Sequence, residues 1–99
     1  MALKNIRAQL ALFLPTSRQT KINALAQGNA DHTWQVGDKG IFHSFSPEYC
    51  GHPLYVNQVY GVVTFVDGDC ILVRTVGWEY ACRPDGVCSS GFGVFIKGD

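Results

Sequence analysis

Four cysteines and three histidines hold most of the reactive chemistry in this 99-residue chain. The most ordered arrangement is "ACRPDGVCSS", residues 81–90, in which Cys82 and Cys88 flank a Pro-Asp-Gly turn. Two thiols so placed could form a disulfide staple, supply half of a metal site, or remain ordinary thiols. Pro84 and Asp85 suit a type I turn, and Gly86 suits the left-handed position that follows it. Arg83 and Val87 then close a three-residue hairpin loop. Cys82 faces Cys88 one step further out, at a non-hydrogen-bonded site. Cα atoms at such a site lie roughly 4.5 Å apart, inside the disulfide range of roughly 4.4–6.8 Å. The geometry permits a disulfide, and the redox compartment decides whether it forms.

A second constellation is "EYCGHPLY", 48–55, where Cys50 and His52 are two residues apart. Taken with Cys82 and Cys88 they make four zinc-type ligands. However, structural zinc sites space their paired ligands two to four residues apart. "C-x-H" and "C-x5-C" both miss that spacing, so no metal and no cofactor is expected. A nucleophilic cysteine needs a base in reach. Cys50 with His43 or His52 is the candidate pair, and nothing around it matches the local signatures of cysteine hydrolases. A small enzyme or metal-dependent protein built on Cys50 and His52 therefore stands as an alternative, not the leading reading. Cys70, at the start of a strand-like run, is expected in the core, the common fate of a free cysteine. Asp67, Asp69 and Glu79 read as turn and strand-surface residues.

Elements must position these groups. Leu3, Ile6, Leu10 and Phe13 are spaced 3, 4, 3, the stripe of one helix face. Pro15 ends that helix. Thr16 with Gln19 fits a capping box for a second helix, about 17–27, closed by Gly28 and Asn29. From residue 34 the pattern turns to strands. They are expected at 40–45, 56–66, 70–82 (broken or bent at Gly77) and 92–97, with hairpin turns at "DGD" and "RPDGV". The reading is one domain, α+β and mainly β, with a helical segment over 1–28 and a five-stranded small barrel over 34–99.

The string "VGDKGIF…GVVTFVDGDCILVR", residues 36–76, resembles SH3-like small barrels, including the KOW and Tudor types. The resemblance lies in a Gly-Asp turn, a strand, a Gly-Val-Val strand, a Gly-Asp hairpin and a Val-rich strand. It implies a fold whose members bind peptides, nucleic acids or other proteins. The chain departs from the KOW pattern in lacking a basic loop, and it carries no methyl-lysine cage pattern.

The chain has no net charge, yet residues 1–30 hold four bases and no acid, and residues 31–99 hold four bases and eight acids. An acidic barrel is a poor nucleic-acid binder, so nucleic acid is an unlikely partner. A regulator using the basic helical segment is kept as a second reading. No stretch approaches the roughly 18 apolar residues of a membrane span. "PTSRQTKIN" separates the first apolar run from any cleavage-like site, so a cytoplasmic location is expected. The leading expectation is a small non-enzymatic binding module that engages a protein or small ligand through Tyr49, His52, Tyr55 and Trp78. The stripe Leu3, Ile6, Leu10, Phe13 is expected to dock on the barrel or to pair with its copy in a homodimer. A compact domain of this kind would suit a phage or other mobile element.

Overall fold

The computed structural model describes residues 17–46 and 55–98, with Tyr55 described through its main chain. The helical stripe Leu3, Ile6, Leu10, Phe13 therefore lies outside the described residues, as do Tyr49, Cys50 and His52. The first described element is helix α1, Arg18–Ala26. Its N-cap is Ser17, whose main chain is extended and whose Oγ accepts from the Thr20 N–H at 3.0 Å. That bond satisfies one of the donors a helix start leaves open. The box expected between Thr16 and Gln19 is thus displaced by one residue, and Gln19 donates instead to Asn23 at 2.9 Å. The helix tightens into a 3-10 turn over Gln27–Asn29.

Five strands follow: β1 Lys39–Phe45, β2 Tyr55–Asp67, β3 Cys70–Thr75, β4 Glu79–Cys82 and β5 Gly93–Lys97. All pair antiparallel in one curled sheet, in the order β4-β3-β2-β1-β5. The fold is mainly β with one short helix among the described residues. "DGD" makes the β2–β3 turn, with Asp67 opposite Cys70. The segment 70–82, expected as one broken or bent strand, reverses completely. Arg74 pairs with Glu79, so Val76, Gly77 and Trp78 form a hairpin tip. Thr75 fixes it by donating from both its N–H (2.7 Å) and its Oγ1 (3.0 Å) to the Trp78 carbonyl.

Strand alternation sends one set of side chains into the curl. Phe42, Val63, Ile71, Val73, Cys82 and Phe95 meet there with Trp34 and Cys88. Each large apolar side chain buried this way stabilises the fold by about 1.5–3 kcal/mol. The Phe42 and Tyr80 rings stack with centroids 4.0 Å apart. Space for the Phe95 ring comes from Gly61, where a Cβ would lie 2.9 Å from that ring and 2.8 Å from Val73. A second, smaller core forms on the outer face of β1 and β5. There α1 seats Ile22, fully buried, against Phe45, Val87 and Val94. Cys70, expected in the core, is only half-buried at the strand start.

The ends of the strand order are tied by single bridges, Cys82 to Cys88 and Val87 to Val94. These draw β4 and β5 toward each other through the short segment between them. Among the described residues no helix is long and apolar enough to cross a membrane.

Candidate functional site

The turn Arg83-Pro84-Asp85-Gly86 positions the thiol pair. Gly86 has φ +91°, the left-handed conformation that completes the turn, and its N–H donates to the Arg83 carbonyl at 2.8 Å. Asp85 Oδ1 accepts from the Val87 N–H at 3.0 Å, and its carboxylate pairs with Arg83 at 2.8 Å. Hydrogen bonds from Arg83 N–H to the Val87 carbonyl and from Ser89 N–H to the Ala81 carbonyl, both 2.9 Å, flank the cysteines. Cys82 and Cys88 are therefore opposite each other at a non-hydrogen-bonded site, and both are buried thiols.

Cys82 donates to Cys88, and that bond, with burial behind it, holds the Cys82 thiol well above the ordinary range. The same bond draws Cys88 down to about 5, helped by donors on Ser90 and opposed by burial. The Ser90 hydroxyl lies 3.2 Å from Cys88 Sγ. The pair thus loses its first proton early and its second late. With the folded pKa of Cys88 depressed, its contribution to stability grows as pH rises from about 5 toward the unfolded thiol value. In a background with Cys50 and Cys70 replaced by serine, thiolate absorbance near 240 nm will titrate with a midpoint near pH 5. Cys82→Ala removes the donor and will return the midpoint toward the ordinary thiol range; an unchanged midpoint refutes the shared hydrogen bond.

Carbonyls of the same turn and of β5 hold the segment that follows α1. Asn29 is buried, and its Nδ2 donates to the carbonyls of Asp85 (2.9 Å) and Phe95 (2.8 Å) while its Oδ1 accepts from the Lys97 N–H (2.9 Å). Trp34 Nε1 donates to the Pro84 carbonyl at 2.7 Å. Beside this hub runs an open groove of about 530 Å³, whose lining mixes Asn23, Gln27, Asp31 and His32 with Ala26 and Pro84. His32, on its wall, has Nε2 3.1 Å from Asp38 Oδ2. Among the described residues no group of three or more His, Cys, Asp or Glu side chains is placed to hold a metal ion.

No family model, curated protein or solved structure matches this chain.

The opposite end of the sheet exposes two large apolar side chains. The β3–β4 hairpin presents Val76, 99% exposed, and Trp78, 67% exposed. A shallow recess of about 380 Å³ lies at its base, lined by Arg74, Thr75, Trp78 and Glu79 among others. Gly61 of β2 is level with Thr75, so the exposed Tyr60 next to it borders the hairpin. Of the residues expected to bind a ligand, Trp78 is at this tip. Tyr55 opens β2 opposite Phe45, six residues before the hairpin's level, and Tyr49 and His52 lie outside the described residues. Val76 and Tyr60 were not singled out from the sequence, where a valine beside Gly77 and a tyrosine in a strand carry no mark of exposure. Of the four bases in residues 1–30, Arg18 and Lys21 are described, and the Arg18 guanidinium lies over the Phe92 ring at 4.3 Å.

Proposed function

We propose that this chain is a small non-enzymatic binding module with an SH3-like barrel, engaging a protein partner through the β3–β4 hairpin. The barrel reading is supported by the all-antiparallel order β4-β3-β2-β1-β5, together with the bridges at Cys82–Cys88 and Val87–Val94. The observation that carries the binding role is the pair Val76 and Trp78, held in water on a hairpin tip whose base is rigidly bonded. A tryptophan on a fixed support is a favoured interface anchor, offering large area with few rotatable bonds. Arg74 and Glu79 beside it, both exposed, suit a polar rim.

The test is site-specific photocrosslinking in the cell of origin. A benzophenone amino acid at position 78 should give a discrete protein adduct. The same group at Asp69, on the exposed β2–β3 turn, should give none. Equal labelling at both positions, or none at 78, would defeat the reading.

A further inference from the structure

Cys82 ends β4, and Cys88 lies in the segment that leads to β5. Their opposition at a non-hydrogen-bonded site puts both side chains on one face, with Cα atoms roughly 4.5 Å apart. A disulfide spans roughly 4.4–6.8 Å between Cα atoms, so it can close there with little movement of either segment. Among the described residues Cys70 does not compete. It precedes Ile71, which pairs with Cys82, and so it faces the other side of the sheet.

The two sulfurs have unequal roles. A thiolate, not a thiol, is the nucleophile. Cys88 is ionised at neutral pH, because the Cys82 thiol donates to it. The Phe92 N–H donates to Ser90 Oγ at 3.3 Å. That leaves the Ser90 hydroxyl hydrogen to turn toward Cys88 Sγ, 3.2 Å away. Cys82 stays protonated and is already aimed at Cys88. Access then selects the oxidant. Ser89 and Ser90 are exposed, but Cys88 beside them is 5% exposed and Cys82 2%. Hydrogen peroxide is small enough to reach a sulfur set so close beneath the surface. A disulfide of tripeptide size is not.

We propose that Cys82 and Cys88 are an oxidation site for hydrogen peroxide, which joins them reversibly in a disulfide that locks the two ends of the strand order together. In the first step the Cys88 thiolate attacks one peroxide oxygen. The O–O bond breaks, hydroxide leaves, and Cys88 becomes a sulfenic acid. In the second step the Cys82 sulfur attacks the Cys88 sulfur. The S–O bond breaks, and the hydroxyl leaves as water with the Cys82 proton. Each sulfur has lost one electron, and the peroxide has gained two. The new bond fastens β4 to the segment whose Val87 bridges Val94 of β5. Trp78 takes no part, so the site stands whether or not the hairpin tip binds a partner.

The test treats the reduced full chain, under native conditions, with a few equivalents of peroxide, then alkylates it in denaturant and cuts it with trypsin. Both cysteines fall in the peptide 75–97, because the Arg83–Pro84 bond resists cleavage, and Cys50 and Cys70 fall together in 40–74. The peptide 75–97 should lose the mass of two hydrogens and take up no alkyl group, and dithiothreitol should restore both thiols. The oxidised protein should keep its circular dichroism spectrum, with a urea midpoint at or above that of the reduced form. Cys82→Ala should stop at the Cys88 sulfenic acid, trapped by dimedone. Cys88→Ala should leave Cys82 unoxidised, and it carries the assignment if Cys82→Ala does not fold. Glutathione disulfide at the same concentration should bridge the pair at least tenfold more slowly than peroxide. Two free thiols in 75–97 after peroxide overturn the proposal. So do a linkage of 75–97 to 40–74, a lowered urea midpoint, oxidation of Cys82 in Cys88→Ala, or glutathione disulfide acting as fast as peroxide.

Discussion

Gly86→Ala will destabilise the protein by about 3–5 kcal/mol, enough to remove much of a small domain's stability. Two penalties add. Gly86 has φ +91°, where an L side chain costs about 1–2 kcal/mol. Its Cβ would also meet the Phe95 carbonyl oxygen and the Asn29 Nδ2. Both are groups that cannot retreat cheaply. The carbonyl belongs to β5 and accepts from Asn29, and the Gly86 carbonyl itself accepts from the Phe95 N–H at 2.8 Å. Relieving the contact means pushing the turn off β5, which breaks that bond and loosens the Val87–Val94 bridge. A chemical denaturation midpoint that falls sharply with unchanged slope is the expected result. By contrast Gly68→Ala, in a turn where a Cβ meets nothing, should stay within about 1 kcal/mol. A Gly86→Ala protein as stable as the parent would show that the turn is not seated on β5 as described.

That turn also shows what a sequence can and cannot carry. Pro84, Asp85 and Gly86 are local signals, and they sufficed to place Arg83 against Val87 and Cys82 against Cys88. The strands at 39–45 and 55–67 were legible for the same reason, since alternation and turn residues act between neighbours. Val76-Gly77-Trp78 was harder. A single glycine between two bulky residues signals a bend or a reversal equally well, and only the pairing of Arg74 with Glu79 decides. Helix α1 has a weak apolar set, yet it holds because Ile22 finds a socket among Phe45, Val87 and Val94, residues far along the chain. The candidate interface was legible only in part. Trp78 stood out by type, but the exposure of Val76 depends on where β3 stops and the chain reverses. Asn29 is the clearest case. It reads as a helix stop, and its three partners, at Asp85, Phe95 and Lys97, are more than fifty residues away.

Asn29→Asp will therefore be the more informative of the conservative changes, costing about 3–5 kcal/mol at pH 7. The shape is nearly unchanged, but the chemistry at Nδ2 inverts. In place of an amide donating to the Asp85 and Phe95 carbonyls, a carboxylate oxygen would face two acceptor oxygens. Only the bond from Lys97 N–H survives, because it needs an acceptor. Burial and the facing carbonyls both disfavour the charged form, so the folded pKa of the new carboxyl lies above its unfolded value. The sign of the pH dependence follows: the protonated acid can donate to one carbonyl, so the variant is least compromised below about pH 4. It loses stability as pH rises through the unfolded pKa toward the folded one. Asn29→Ala has no such group, and its loss, about 2–4 kcal/mol from three orphaned main-chain groups, should show no added pH dependence. Thermal melts of the two variants from pH 4 to pH 8, each referred to the parent at the same pH, separate the cases. Parallel profiles for Asp and Ala would mean that Asn29 does not donate to those carbonyls and that the 3-10 turn is held to β5 by other contacts.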